Sequence, residues 1–270
     1  MTEAASPEST AEKVTVERRG HLLLIGLNRP DKLNAFDPEM IGQLARAYTL
    51  LAKDRELRCG VLWARGRYFT SGLDLAAIVK HMPREFFSPI IPRGTIDPWG
   101  ITTEPCPKPI VTAVQGRCFT LGIELLLCGQ VTIASEDAIF TQYEVNRGLF
   151  PFGGGTVRWP LAVGTQNAYR YLLTGEDLDA AEALRIGLVQ RVVSAEHCLP
   201  AAIEMAQKIA ANAPLGVQAV LRNSRLSQSK GVKTALRKLR WQFLRLILSK
   251  DARRGVAAFK ARTTAEFKGD

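Results

Sequence analysis

The first two-thirds of the chain alternate short β-rich runs with helical patterns, whereas the last quarter has a helical pattern only. Apolar runs at 14–18 and 22–27 flank Arg19 and Gly20, an arrangement that predicts a β-hairpin. Three later runs of β-branched and apolar residues predict strands at 60–63, 110–114 and 131–134. Because alternating strands and helices are joined by helical crossovers, we expect an α/β fold with parallel strands.

Capping residues predict where two of the helices begin. Asp37 followed by Pro38 indicates a helix start, because aspartate caps the first amides and proline fits the first helical position. Asp179 and Glu182 predict a second, shorter helix that ends at Gly187.

The 270 residues suit one α/β domain with an appendage better than two equal domains. Residues 1–12 are small, polar and acidic, and we expect a disordered tail without a secretion signal. The sequence has no run of 18 apolar residues, and its five cysteines show no CxxC spacing. These features favour a cytoplasmic protein with reduced thiols and no membrane partner.

Positive charge is concentrated in the last quarter of the chain. The net charge is +10, and residues 201–270 hold 15 Lys and Arg against 4 Asp and Glu, a balance of +11. Helical spacing predicts a basic stripe of Lys233, Arg237 and Arg240 beside an apolar one. The apolar stripe comprises Val232, Leu236, Leu239, Phe243 and Leu246. A phosphate-bearing partner, a nucleic acid and a solvated helix face all remain alternatives for the basic stripe.

Two glutamates stand in otherwise apolar surroundings. Glu124 is the only ionisable residue of 121–128, and Glu144 follows in the β-rich segment 139–145. Burial raises the pKa of a carboxyl group towards neutrality, so two such groups in one pocket are typical of acid–base catalysis. The start of its helix is expected to favour ionisation of Glu124 and so to separate the two pKa values.

Two glycine-containing turns, at 69–75 and 116–122, each follow a predicted strand. Such turns leave backbone N–H groups free to stabilise an oxyanion that forms on a carbonyl, although each turn alone is equally compatible with a purely structural role. No Walker A, HExxH or GxSxG motif is present, and the three histidines show no metal-ligand spacing. We therefore expect neither a metal nor a redox cofactor.

Residues 80–109 interrupt the alternation with seven of the fourteen prolines and no regular period. This composition predicts a long loop over a pocket. Phe86, Phe87 and Trp99 within it either narrow that pocket or pack the loop.

Five segments occur in an order that resembles the crotonase superfamily, whose best-known members are enoyl-CoA hydratases and isomerases. They are Leu27–Ala35, Phe69–Leu75, Gly116–Leu125, Glu144–Gly155, and Leu173–Gly175 with Gly187–Val189. The resemblance covers about 13–195. It implies a spiral of ββα units in that core, followed at 196–270 by a C-terminal helical region that drives formation of a homotrimer or a dimer of trimers.

The resemblance also implies an acyl-CoA thioester substrate and a role for each matching residue. The backbone N–H groups of Leu73 and Leu121 correspond to the oxyanion donors, and Glu124 and Glu144 to the two catalytic carboxylates. Phe152 occupies the position of an additional aspartate in dienoyl-CoA isomerases, which argues against that activity. The predicted substrate or CoA contacts are Arg29, Lys32, Ser71, Gly72, Asp74, Phe259 and Lys260.

Hydration of a trans-2-enoyl-CoA to a 3-hydroxyacyl-CoA is the activity that the resemblance favours, since both carboxylates are present. Migration of the double bond in a 3-enoyl-CoA is the first alternative, because one glutamate can shuttle a proton. A crotonase-like protein that binds RNA through its basic C-terminal helices, with little or no catalysis, is the second.

Overall fold

The structure, a computed structural model, describes residues 12–79 and 90–270. Nearly all of the predicted N-terminal tail lies outside these residues, as do Phe86 and Phe87. Within the described residues the strands are β1 (Val14–Arg19), β2 (Leu22–Leu27), β3 (Cys59–Ala64), β4 (Ile110–Val114), β5 (Arg117–Phe119), β6 (Val131–Ser135), β7 (Ile139–Thr141), β8 (Asp177–Asp179) and β9 (Arg191–Val193).

Helices follow the strands and then continue alone to the C-terminus. They are α1 (Pro38–Lys53), α2 (Leu121–Leu126), α3 (Gly155–Val163), α4 (Thr165–Thr174), α5 (Ala180–Ile186), α6 (Ala195–Ala210), α7 (Pro214–Lys230), α8 (Val232–Ile247) and α9 (Lys250–Ala261). Both predicted caps are confirmed: Asp37 accepts from the amide of Met40, and Asp179 from the amide of Glu182, each at 2.8 Å.

The large sheet has the strand order β1-β2-β3-β4-β6-β9. β1 and β2 form the predicted antiparallel hairpin, and every later neighbour in this sheet is parallel. All six residues of β2 are buried, as expected for a strand covered on both faces. Leu22 and Leu24 pack towards α6, whereas Leu23, Ile25 and Leu27 pack towards α1.

A second, smaller layer carries the short strands β5, β7 and β8. Isolated parallel bridges from Thr70 to Cys118 and from Phe36 to Leu73 extend this layer along the chain. The chain thus leaves each central strand of the large sheet, adds an extended segment to the second layer, and then enters a helix. This repetition confirms the predicted ββα spiral, and it brings the ends of successive segments to one place.

The C-terminal helices α7 to α9 are much more exposed than the core. The apolar stripe predicted on α8 is present, but its side chains are largely uncovered in a single chain: Val232 is 64% exposed, Leu236 59% and Phe243 62%. The basic stripe is exposed as well. No helix among the described residues has the length and apolar character needed to cross a membrane.

Candidate active site

The first glycine turn follows β3 and places Leu73 at the wall of a cavity. The Thr70 hydroxyl donates to the carbonyl of Asn34 (2.6 Å) and accepts from the amide of Gly72 (3.1 Å). Gly72 has a φ of +88°, and a Cβ there would lie 2.0 Å from Oγ1 of Thr120. Only glycine meets both conditions, so Gly72 fixes the peptide that precedes Leu73.

The second glycine turn, 116–122, follows β4 and contains both β5 and a strained residue, Thr120. Its φ of 48° and ψ of −115° lie in a region that costs a non-glycine residue about 1–3 kcal/mol. The Thr120 amide donates to the carbonyl of Thr141 (2.9 Å), and Nε1 of Trp99 donates to the carbonyl of Leu121 (3.0 Å). These contacts hold the peptide between Thr120 and Leu121 in an orientation that it would not adopt unaided.

Leu73 and Leu121 line the same cavity. Their backbone amides donate to no acceptor within the described part of the chain. The positive φ at each turn falls on the preceding residue, Gly72 or Thr120, so leucine is sterically compatible with both positions. Two unpaired N–H groups at one cavity are the arrangement that stabilises a negative charge developing on a carbonyl oxygen.

Glu124 lies in α2, and its side chain is fully buried. Oε1 accepts from the amide of Gly155 (2.7 Å), whereas Oε2 has no hydrogen-bond partner among the described residues. A Cβ on Gly153 would lie 2.7 Å from Oε2, and one on Gly155 would lie 3.0 Å from Oε1. The glycine run 153–155 therefore allows the backbone to approach the carboxyl group closely.

Arg158 connects this glycine run to the loop that carries Trp99. Its guanidinium donates to the carbonyl of Gly153 through Nη1 (2.9 Å) and to that of Trp99 through Nη2 (2.7 Å). Because Trp99 also holds the carbonyl of Leu121, one buried network joins the surroundings of Glu124 to the second glycine turn. Trp99 thus packs the loop, the second of its two predicted roles.

Burial raises the pKa of Glu124 from 4.5 to about 7. Loss of water is the largest cause, the Gly155 amide opposes it, and the negative charge of Glu144 adds to the rise. The sequence-based expectation that the helix start favours ionisation of Glu124 is wrong. The helix has only six residues, and desolvation of the carboxylate outweighs the field of so short a helix.

Glu144 begins a 3₁₀ helix, Glu144–Arg147, and is 6% exposed. Its Oε1 accepts from the side-chain amide of Gln142 (2.9 Å), which in turn accepts from Nε1 of Trp159 (3.2 Å). Its Oε2 has no partner among the described residues. Burial raises the pKa of Glu144, while the contact with Gln142 and the charge of Arg147 oppose the rise.

The two carboxyl groups are held in the same way. In each, one oxygen is fixed by an N–H group and the other is buried without a partner. The charge of Glu144 contributes to the raised pKa of Glu124, which indicates that the two carboxyl groups lie near each other. Such a pair can hold a water molecule between its free oxygens and can exchange protons with it.

The cavity has mostly apolar walls, with the Glu144 carboxyl and the Arg147 guanidinium as its charged groups. Its lining residues are Ser71, Leu73, Leu75, Thr120, Leu121, Tyr143, Glu144, Arg147, Leu149 and Phe152. Of the predicted contacts, Ser71 lines it directly and Gly72 shapes the adjoining turn. An apolar cavity beside two free amides and an acid pair fits an acyl group better than a polar ligand.

Arg29 and Asp74, two further predicted substrate contacts, pair with each other and do not line the cavity, and their contact with substrate stays a prediction. Nη1 of Arg29 lies 2.8 Å from a carboxylate oxygen of Asp74, and Nη2 lies 3.4 Å from Asp37. A guanidinium that pairs with carboxylates has fewer N–H donors left for a phosphate. Both residues brace the segment that precedes α1.

Three other predicted CoA contacts stay predictions. Lys32 is exposed on the 3₁₀ helix Pro30–Lys32, and Phe259 (84% exposed) and Lys260 are exposed on α9. None of the three lines the cavity within the described residues.

Sequence reasoning missed Gln142, Arg158 and Arg147. Gln142 precedes Glu144 by only two residues, but the chain turns between them into the 3₁₀ helix, so their contact has no simple periodic signal in the sequence. Arg158 stands where a dinucleotide-binding fingerprint would have its third glycine, a departure that marked the run as something else. Arg147 follows Glu144 at a spacing of three. This spacing places both side chains on one side only in a 3₁₀ helix, which the sequence did not predict.

Residues 17–270 match the family described as enoyl-CoA hydratase/isomerase. The chain is 34% identical to Enoyl-CoA hydratase EchA19 of Mycobacterium tuberculosis, over 93% of this chain and 95% of that protein. It is 36% identical to a probable enoyl-CoA hydratase of Rhizobium meliloti, over 95% and 98%. A crystal structure of a probable enoyl-CoA hydratase/isomerase from Mycobacterium abscessus superposes with a TM-score of 0.92 at 46% identity, over 96% and 99%.

Proposed function

Because the chain belongs to the enoyl-CoA hydratase/isomerase family, as its motifs predicted, we propose that it is an enoyl-CoA hydratase. The reaction is reversible syn addition of water to a trans-2-enoyl-CoA, which gives a 3-hydroxyacyl-CoA. The observation that carries this proposal is the pair of carboxyl groups, each with one fixed and one unpartnered oxygen, beside two amides that have no acceptor among the described residues.

In this scheme the amides of Leu73 and Leu121 bind the thioester carbonyl. Withdrawal of electrons from the carbonyl makes C3 electrophilic, and the two donors stabilise the enolate-like charge that forms on the oxygen. Loss of one such donor typically costs about a hundredfold or more in rate. Because Thr120 and Gly72 fix both peptides in advance, little reorganisation is needed when the charge develops.

The acid pair then moves two protons. The pair shares one proton: when that proton lies on Glu144, Glu124 accepts a proton from water as the hydroxyl adds to C3, and Glu144 gives its proton to C2. A return of the proton from Glu124 to Glu144 restores the starting state, so the scheme requires no metal or redox cofactor. Burial raises the pKa of both carboxyl groups, that of Glu124 to about 7, which favours the proton exchange that the reaction requires near neutral pH.

Replacement of Glu144 by Gln tests this assignment. The substitution preserves the shape and the hydrogen bond to Gln142 but removes the proton donor, so we expect hydration of a four-carbon enoyl-CoA to fall by about 10²- to 10⁴-fold. The hydration rate is followed by loss of the enoyl-thioester absorbance. Glu136→Gln, an exposed residue outside the cavity, serves as the control. An unchanged rate in Glu144→Gln contradicts the proposal.

Double-bond migration in a 3-enoyl-CoA is the second candidate, favoured by one observation. Glu144 lines the cavity, whereas Glu124 is fully buried, so a single accessible acid is also compatible with a proton shuttle. Product analysis in ¹⁸O-labelled water distinguishes the two reactions. Hydration incorporates the label into the product, and isomerisation does not.

The partners proposed for this chain follow from the same family membership. The substrate is an acyl-CoA thioester, with Ser71 and Gly72 at the thioester, and Lys32, Phe259 and Lys260 available to the CoA nucleotide. The uncovered apolar stripe of α8 supports a homotrimer or a dimer of trimers. The cysteines described are free thiols, four of them buried, in keeping with a reducing compartment such as the cytoplasm.

A further inference from the structure

The wall of the cavity carries a cation that the proposed hydration scheme does not use. Arg147 lines the cavity together with Glu144, and the surrounding side chains of Leu73, Leu121 and Phe152 are apolar. A guanidinium remains charged at every physiological pH. Its position beside the reacting acid therefore bears on which acyl groups can enter.

The local backbone explains why Arg147 faces the cavity. Glu144 and Arg147 are the first and last residues of one 3₁₀-helical turn, and side chains three residues apart in such a helix point in the same direction. The ring of Tyr143 lies beneath the guanidinium, with 4.3 Å between the ring centroid and Cζ of Arg147. Stacking of this kind limits the positions that the long side chain samples.

Arg147 has no carboxylate partner within the described part of the chain. The arginines that surround the site are committed elsewhere: Arg29 pairs with Asp74, and Arg158 donates to two backbone carbonyls. Oε1 of Glu144 is occupied by Gln142, and Glu144 forms no ion pair with Arg147 despite facing the same way. Among the described residues Arg147 therefore forms no ion pair, although its charge favours the ionised form of the nearby Glu144.

An acyl group that fills the cavity displaces water from this guanidinium. A plain alkyl tail accepts no hydrogen bond that would replace the lost water, and desolvation of an unpaired charge is unfavourable. A carboxylate replaces the lost interactions with charge-assisted, bidentate hydrogen bonds. We propose that Arg147 is a subsite for a carboxylate at the far end of a short acyl group, so that the preferred substrates are CoA thioesters of unsaturated dicarboxylic acids.

This proposal rests on the proposed hydratase function and specifies its substrate class. The distal carboxylate takes no part in the chemistry, since water still adds across C2 and C3. The acyl chain must be short, because the Cβ atoms of residues three positions apart on a helix are only about 5–6 Å apart. Arg147 therefore selects a substrate whose carboxylate lies a few bonds beyond the double bond.

The test compares trans-2-enedioyl-CoA esters of five, six and seven carbons with trans-2-enoyl-CoA esters of the same lengths. We expect the wild-type kcat/KM to favour the carboxylate-bearing ester at one length by at least about tenfold. Arg147→Gln should abolish that preference, and Arg147→Lys should retain part of it. Any effect of the Arg147 substitution on Glu144 itself changes kcat/KM for both substrate classes. The ratio of the two kcat/KM values therefore reports the contact with the distal carboxylate. Arg170→Gln, which removes a guanidinium stacked on Tyr171 outside the cavity, is the matched control.

A wild-type protein that hydrates the alkyl esters as well as the carboxylate-bearing ones overturns this proposal and leaves the hydratase function intact. If neither class of ester is hydrated, the proposed hydratase function is wrong. The carboxylate subsite is then tested separately, by the affinity of the protein for saturated thioesters. Calorimetric titration with glutaryl-CoA, adipyl-CoA and hexanoyl-CoA should then show tighter binding of a dicarboxylic ester to the wild type but not to Arg147→Gln. Equal binding of all three thioesters overturns the subsite.

Discussion

At the scale of single residues, the buried acid Glu124 has a proposed catalytic role and a cost in stability. Its carboxyl group is fully buried with one oxygen unpartnered, and its pKa rises from 4.5 to about 7. A raised pKa means that the folded protein binds the proton more tightly than the unfolded chain does. The free energy of unfolding therefore decreases as the pH rises from about 4.5 to about 7.

Replacement of Glu124 by Gln should stabilise the protein at high pH while it impairs hydration. A pKa rise of about 2.5 units corresponds to about 3 kcal/mol, which is the upper limit for the gain above pH 7. The gain should be about 1 kcal/mol or less at pH 5, where the wild-type carboxyl is protonated in the folded state and partly protonated in the unfolded chain. Urea unfolding at pH 5 and pH 8 measures the difference. A gain of equal size at both pH values contradicts the raised pKa, and Glu136→Gln controls for loss of a surface charge.

The sequence indicates the residues of the candidate site more directly than the contacts that fix their side chains. A glutamate alone in an apolar run, and turns with glycines after strands, are local signals that a sequence displays directly. The fixed oxygens of Glu124 and Glu144 depend on Gly155 and Gln142, and the first of these contacts spans 31 residues. The ion pair of Arg29 with Asp74, 45 residues away, likewise has no local signal in the sequence.

At the scale of elements, the two glycine turns fit together as one unit. Gly72 in the first turn lies against Thr120 in the second, and a Cβ on Gly122 would lie 2.2 Å from the methyl group of Thr70. Small residues at these two contacts bring the turns close enough for Leu73 and Leu121 to share a cavity. The strand pattern predicted both turns. Their contact depends on the second layer, whose strands of three residues are too short to show a clear β pattern in the sequence.

Gly72→Ala should separate the turns and weaken both amide donors. The added methyl group collides with Thr120 at a φ that alanine rarely adopts, so we expect a stability loss on the order of 1–3 kcal/mol and a fall in kcat of about a hundredfold or more. Thermal unfolding and hydration assays measure the two effects. Gly94→Ala is a matched control, because Gly94 has a φ of +76° with open space around it.

The collision can be relieved from the opposite side. In the double variant Gly72→Ala with Thr120→Gly, the hydroxyl that meets the new methyl group is absent. Recovery of kcat towards the wild-type value supports the interlocked turns. A double variant as slow as Gly72→Ala alone places the damage elsewhere.

At the scale of the whole molecule, α8 presents an apolar surface that a single chain leaves uncovered. Leu236 and Phe243 are separated by two helical turns and lie on one face, each more than half exposed. Contiguous exposed apolar surface of this kind typically marks an association site. The periodicity of α8 predicted the stripe, but a stripe is equally compatible with an internal contact, so its exposure required the fold.

A double substitution, Leu236→Glu with Phe243→Glu, should convert the assembly to monomers. We expect light scattering on a sizing column to give three or six times the 29.7 kDa of one chain for the wild type, and one times that mass for the variant. Val16→Glu, at an exposed position on β1, controls for added negative charge. A wild-type monomer contradicts the proposed trimer and leaves RNA binding by the basic stripe as the better use of these helices.

The acid pair is supported from behind by Gly155, Gln142 and Trp159, whereas Leu75, Leu149 and Phe152 lie at the outer rim of the cavity and are partly exposed. In the proposed scheme, the residues that hold the acid pair are therefore different from the residues at the rim. A library randomised at the rim alone can be screened for new thioesters without rebuilding the reaction centre. The same separation makes this chain a suitable starting scaffold for engineered biocatalysts.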